Sequence, residues 1–193
     1  MTGPREERRL HRALVDRATH GDSEAFDELA RQVGDRCMAI AFRILRDTDQ
    51  ADDAVQSALI AAWRDLRQLR DPERFEPWLH RILVNECYAE ARRRRRWSAN
   101  LRVLTQPDTD DAAEILTVHD RDQLDRAFRR LTLEQRAVLV FHHFVGLTSE
   151  EVADRLGIPV GTAKSRIHHA TAALRASLDA DARSPRASGE RLA

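Results

Sequence analysis

Residues 148–174 read TSEEVADRLGIPVGTAKSRIHHATAAL, and this stretch sets the class of the chain. Thr148-Ser149-Glu150-Glu151 has the form of a capping box, in which a hydroxyl at the N-cap and a carboxylate three residues later satisfy each other's free backbone N–H groups. Leu147 and Val152 occupy the N′ and N4 positions of a hydrophobic staple. A short helix therefore starts at Thr148. Gly157-Ile158-Pro159-Val160-Gly161 ends it, and a last helix is predicted from about Thr162 to Leu178. Two helices around a short glycine-containing turn form a helix-turn-helix pattern.

The second of these helices has two chemically different faces. Ala163, Ile167, Ala170 and Leu174 recur at helical spacing and form a core stripe. Thr162, Ser165, Arg166 and His169 share another side, flanked by Lys164, His168 and Arg175. No acidic residue lies between Pro159 and Leu178, so this face can approach phosphates without repulsion. Lys164 and Arg166 can donate to phosphates or guanine edges, and Ser165 to the backbone or a base. His168 and His169 would strengthen such binding when protonated.

Upstream, the helical period continues. A helix is marked by Thr132 with Gln135 three residues on, and Leu124, Phe128 and Leu131 precede it. Ser98 to Asp122 holds six acidic residues against two arginines, a net charge of −4, with Pro107 inside it. This reads as an acidic linker, with a short helical stretch near Ile115. Before it, a long helix is predicted from about Glu76 or Pro77 to Arg96, apolar at Trp78, Leu79, Ile82 and Leu83 and closing on five arginines, Arg92 to Arg96. Ala51, Ala54, Val55, Ala58, Leu59 and Ala62 form one stripe of a third helix, capped from Asp47-Thr48-Asp49. Two earlier segments are expected, one with Phe26, Leu29 and Val33, the other after Gly34 with Cys37, Ile40 and Ile44.

Composition narrows the function classes. The 193 residues carry 32 basic and 32 acidic side chains, so no global field draws the chain to nucleic acid and any such contact must be local. Lys164 is the only lysine, so a single arginine says little by itself. No stretch approaches the ~18 apolar residues of a membrane span, and the charged N-terminus lacks a signal-peptide core. The chain is expected in the cytoplasm, without membrane insertion. Cys37 and Cys87 lie in apolar segments with no C-x-x-C spacing, which reads as two buried thiols, with no metal site. No P-loop, G-x-S-x-G, H-E-x-x-H or G-x-G-x-x-G pattern is present, so no enzyme and no cofactor is expected.

Residues 157–170 resemble the end of region 4 in extracytoplasmic-function (ECF) sigma factors of the sigma-70 family. Asp52-Asp53-Ala54-Val55-Gln56 with Trp63 resembles region 2.2, and Trp78-Leu79-His80-Arg81-Ile82-Leu83-Val84-Asn85 resembles the start of regions 2.3 and 2.4. The resemblance implies an all-α fold of two small helical domains on a flexible acidic linker: an N-terminal extension (1–20), region 2 (21–97), the linker (98–122), region 4 (123–178) and a disordered tail (179–193). It implies core RNA polymerase as partner through the β′ coiled coil and the β flap, promoter DNA, and an anti-sigma factor. Asp52, Asp53 and Gln56 would face polymerase, with Ser57 where the family often has Glu. Arg81, Asn85, Tyr88 and Arg92 would meet the opened minus-10 element, Asn85 at a flipped base, with residues 69–76 as the base-capturing loop. Phe75 and Trp78 read as core. Thr162, Lys164, Ser165, Arg166, His168 and His169 would read the minus-35 element, with His169 where the family often has Arg. A stand-alone helix-turn-helix regulator is the competing reading.

Overall fold

A computed structural model describes residues 4–104 and 119–183. Among them there is no strand. The first four helices are α1 (Pro4–Thr19), α2 (Ser23–Leu45), α3 (Thr48–Asp65) and α4 (Phe75–Leu104), with single 3-10 turns at Leu66–Gln68 and Pro72–Arg74. The second group is α5 (His119–Arg129), α6 (Leu133–Leu139), a π-helical turn at Val140–Phe144, α7 (Ser149–Leu156) and α8 (Val160–Arg183).

Helix starts are fixed by side chains. The Asp22 carboxylate accepts from the Ala25 N–H at 3.0 Å, and Asp47 accepts from Gln50 N–H at 2.9 Å. Those backbone donors hold both carboxyls below the usual carboxylate range. Asp71 caps the turn ahead of α4 by accepting from Glu73 N–H at 3.0 Å, with Pro72 behind it. α2 ends on Arg46, whose φ of 62° is left-handed and whose N–H returns to the Phe42 carbonyl at 2.7 Å.

Three helix expectations change and one helix is added. The two segments around Gly34 are one helix, because the stripe from Phe26 to Ile44 is buried on both sides of the glycine and offsets its weak helix propensity of about 1 kcal/mol. The N-terminal extension contains α1, anchored by buried Val15 and Ala18. α4 passes Trp97 and enters the expected linker as far as Leu104, with no glycine or proline in the way. α8 runs beyond Leu178 to Arg183, since Asp181 pairs with Arg130 just after α5 at 2.7 Å and Gln123 donates to the Leu178 carbonyl. The helical stretch expected near Ile115 lies outside the described residues.

The two helical groups are docked. Their buried side chains form one continuous core. His80 of α4, 5% exposed, meets Phe141 edge-on at 5.4 Å. The Arg43 guanidinium lies 3.8 Å from the Phe144 ring centre, and Arg46 pairs with Asp125. Arg74 pairs with Asp154 at 2.8 Å. No helix among the described residues is long and apolar enough to cross a membrane.

Candidate nucleic-acid interface

α7 and α8 build the helix-turn-helix as their sequence specifies. Thr148 Oγ1 accepts from Glu151 N–H at 3.2 Å, while Glu151 Oε2 accepts from Thr148 N–H at 2.8 Å. Gly157 closes α7 at φ 64°, a conformation natural to glycine. Ala163, Ile167 and Ala170 are buried and Leu174 is half-buried. Lys164, Ser165, His168 and His169 are exposed, while Thr162 and Arg166 are half-buried. The Ser165 hydroxyl donates to the Thr162 carbonyl at 3.1 Å. Although α8 carries no acid on this face, α7 supplies one: Glu150 Oε1 sits 2.9 Å from Lys164 Nζ. That hydrogen bond holds the Glu150 carboxyl below its usual range.

On α4, Arg81, Asn85 and Arg92 are exposed. Tyr88 is half-buried, and burial pushes its hydroxyl up to about 12, with Glu134 opposing ionisation and Arg166 favouring it. Tyr88 therefore packs against the core rather than standing with Asn85 in solvent. Beside Arg81, a cavity of about 310 Å³ is walled by Leu69, Arg70, Arg74 and Trp78, and Asp154 reaches into it from α7. Phe75 is buried, in agreement with a core role, whereas Trp78 is only half-buried and faces this cavity. Farther along α4, Arg92, Arg93, Arg96 and Trp97 line a second open cavity. Arg93 also pairs with the buried Glu90, and Trp97 is 69% exposed. Sequence reading passes over Trp97; an aromatic residue beside a run of arginines is the signal.

A third surface lies on α3. Asp52, Asp53 and Gln56 are exposed. Ile60 and Trp63 extend the row, because positions 53, 56, 60 and 63 fall on one helix face. Ile60 is 62% exposed, and Trp63 is braced on Phe26 with ring centres 5.0 Å apart. Ser57 is half-buried. Sequence reading also passes over Ile60, although an apolar residue standing outside the core stripe is a readable sign of a covered surface. Cys37 and Cys87 are free and buried, and burial pushes their thiols up to about 11 and about 12. Among the described residues no group of three or more His, Cys, Asp or Glu side chains is placed to hold a metal.

The model for sigma-70 region 2 matches residues 29–97, and that for sigma-70, region 4 matches residues 121–174. The ECF RNA polymerase sigma factor SigM of Mycobacterium tuberculosis is 34% identical over 154 residues, covering 80% of this chain and 77% of that protein. Among solved structures, CnrH in complex with the cytosolic domain of CnrY superposes with a TM-score of 0.66 at 30% identity, over 89% of this chain and 99% of CnrH. The sigma factor RpoE in complex with the anti-sigma factor NepR, from Bartonella quintana, gives 0.65 at 26% identity, over 81% and 98%.

Proposed function

The chain belongs to the sigma-70 family as an RNA polymerase sigma factor of the ECF type, and from that premise we propose how its surfaces divide the work. The observation that carries the reading is that both family regions match, in order, on the two helical groups. A stand-alone helix-turn-helix regulator would leave the region 2 match unused. The functional units are residues 21–97 and 123–178, joined by 98–122.

The α3 face of Asp52, Asp53 and Gln56, lengthened by Ile60 and Trp63, docks on the β′ coiled coil of core polymerase; region 4 meets the β flap. An exposed apolar pair beside acidic and amide groups is the composition of an interface centre with a polar rim, which supports this assignment. The factor itself performs no bond chemistry and works where polymerase works, in the bacterial cytoplasm.

Opening a duplex without ATP requires a surface that prefers separated strands, through base pockets and a cationic track for the backbone. The cavity beside Trp78 and Arg81 is the base pocket, with Asn85 presenting an amide to the flipped base. Tyr88 joins this surface once region 4 moves away. Arg92, Arg93 and Arg96 supply the phosphate track, and the exposed Trp97 ring supplies a stacking platform. Thr162, Lys164, Ser165, Arg166, His168 and His169 read the minus-35 duplex in the major groove. Histidine at 169 lacks the bidentate fork of arginine, so the upstream preference differs from that of relatives with Arg there. Structural relatives captured with protein partners support an anti-sigma factor for this chain.

The test is run-off transcription on genomic DNA with purified core polymerase, followed by start-site mapping. The expected result is a set of starts that appears only with this chain and shares upstream sequence at minus-10 and minus-35. RNA synthesis indifferent to the chain would refute the reading.

A further inference from the structure

Where the end of α2 meets α5 and α6, guanidinium groups gather with too few carboxylates to balance them. Arg46 ends α2 in the left-handed conformation, lies over the Phe42 ring at 5.2 Å and pairs through Nη2 with Asp125 of α5. Its side chain is only 9% exposed, and its Nε is buried with no hydrogen-bond acceptor. The Nε of Arg136 on α6 is buried without an acceptor as well. Arg95 on α4 and Arg129 at the end of α5 are exposed, and among the described residues neither pairs with a carboxylate. Burial, then the positive charges of Arg46, Arg129 and Arg95, hold Arg136 below the usual arginine range, with Glu134 acting in the opposite sense. Asp47, next to Arg46, already accepts from the Gln50 N–H and feels the charge of Arg94.

Four guanidinium groups against Asp125 and Glu134 leave an excess of about two positive charges. Like charges are not brought together without cost, and two of these side chains keep a buried N–H donor that the protein does not use. The fork of a guanidinium fits the oxygens of a phosphoryl group, and arginine gives up its hydration more readily than lysine. A phosphodiester inside a nucleic-acid strand carries one charge and is flanked by sugars, so it fits poorly over a floor as recessed as the Arg46 side chain. A terminal phosphate chain brings both the charge and the free oxygens.

We propose that Arg46, Arg95, Arg129 and Arg136 form a binding site for a compact oxyanion of two or more charges, a diphosphate or triphosphate group either free or at the end of a nucleotide. The site is separate from the arginine track, because at about 100° per residue Arg95 lies roughly 160° around α4 from Arg93 and Trp97. It does not depend on the base-capture or minus-35 assignments.

The experiment is calorimetric titration of the full chain with sodium triphosphate at fixed ionic strength, with sodium sulfate and adenosine triphosphate as parallel titrants. The expected result is one equivalent of triphosphate, bound at least about tenfold tighter than sulfate. Adenosine triphosphate that binds no tighter than triphosphate assigns the site to the bare phosphate chain; tighter binding assigns it to a nucleotide. Arg136→Gln, or Arg95→Gln with Arg129→Gln, should each weaken binding about tenfold, the loss of one charge-assisted hydrogen bond. Arg46 is left in place because it holds Asp125 and ends α2. Arg95 and Arg129 are exposed, so the double variant keeps the fold, and a circular dichroism melt checks every variant. Arg31→Gln, at an exposed position of α2, removes the same charge outside the site and should leave the affinity unchanged. Triphosphate bound no tighter than sulfate, undiminished binding in the site variants, or an equal loss with Arg31→Gln overturns the site. Loss confined to Arg93→Gln overturns it too, by placing the anion in the cleft of Trp97.

Discussion

Lys164 illustrates what one side chain does in context. It is the only lysine in the chain and sits on the exposed basic face of α8, yet Glu150 of the preceding helix pairs with it at 2.9 Å. On the proposed minus-35 assignment, DNA binding replaces that carboxylate by a phosphate or a base. Glu150→Gln is therefore expected to strengthen promoter binding by holoenzyme about twofold, the small effect proper to an exposed pair. Lys164→Ala should weaken binding, with a salt slope smaller by about 1; filter binding across a salt series reads both. Asn85 is the residue proposed for the other promoter element. Asn85→Ala should impair open-complex formation on duplex promoter about tenfold while leaving a premelted bubble template nearly unaffected, since each lost polar base contact is worth about 1–3 kcal/mol. Equal loss on both templates would place Asn85 outside strand capture.

At the scale of an element, α7 is a helix of eight residues whose stability leans on its cap. Thr148→Ala removes the hydroxyl that accepts from Glu151 N–H and is expected to lower unfolding free energy by about 1 kcal/mol. A urea melt followed by circular dichroism measures it. α3 carries a different burden, because its buried stripe and its exposed row are separate faces of one helix. Ile60→Arg, at a 62% exposed position, should leave the melt unchanged and weaken binding to core polymerase at least about tenfold, as loss of an interface centre does. Fluorescence titration with core enzyme reads the affinity, and an unchanged value would move the docking face elsewhere on the chain. Helix boundaries are less legible than helices. Gly34 does not break α2, and α8 outruns its expected end, in both cases because burial or a partner helix outweighs local propensity.

For the whole molecule, the seam between the two groups is sensitive to acid through His80. Burial first, then the nearby guanidinium groups of Arg155 and Arg36, push its imidazole down to about 4 from the ordinary 6.5. Its Nδ1 has no hydrogen-bond partner, and the ring packs on Phe141. The docked form therefore binds fewer protons than a form with His80 in water. Its contribution is complete above pH 6.5 and declines as the pH falls toward 4, by about 2 kcal/mol at about pH 5. His80→Phe keeps a ring against Phe141 and should flatten this part of the profile. Unfolding curves at about pH 5 and about pH 7.5, compared between parent and variant, measure the difference.

Local chemistry is enough to write much of this protein in advance. Capping boxes, the glycine stop at 157, the alanine-rich stripes and the basic face of α8 each follow from neighbours within a few residues, so the helical class and the helix-turn-helix are readable from the chain. The same holds for Asp52, Asp53 and Gln56, which stand opposite a stripe. Other features depend on residues far apart in sequence. Glu150 on Lys164, Asp181 on Arg130, His80 on Phe141 and Asp154 over the pocket of Trp78 and Arg81 all require helices to be brought together. Periodicity names the face a residue occupies; only packing decides what that face meets, because contact between distant segments is set by the shape and burial of the whole core.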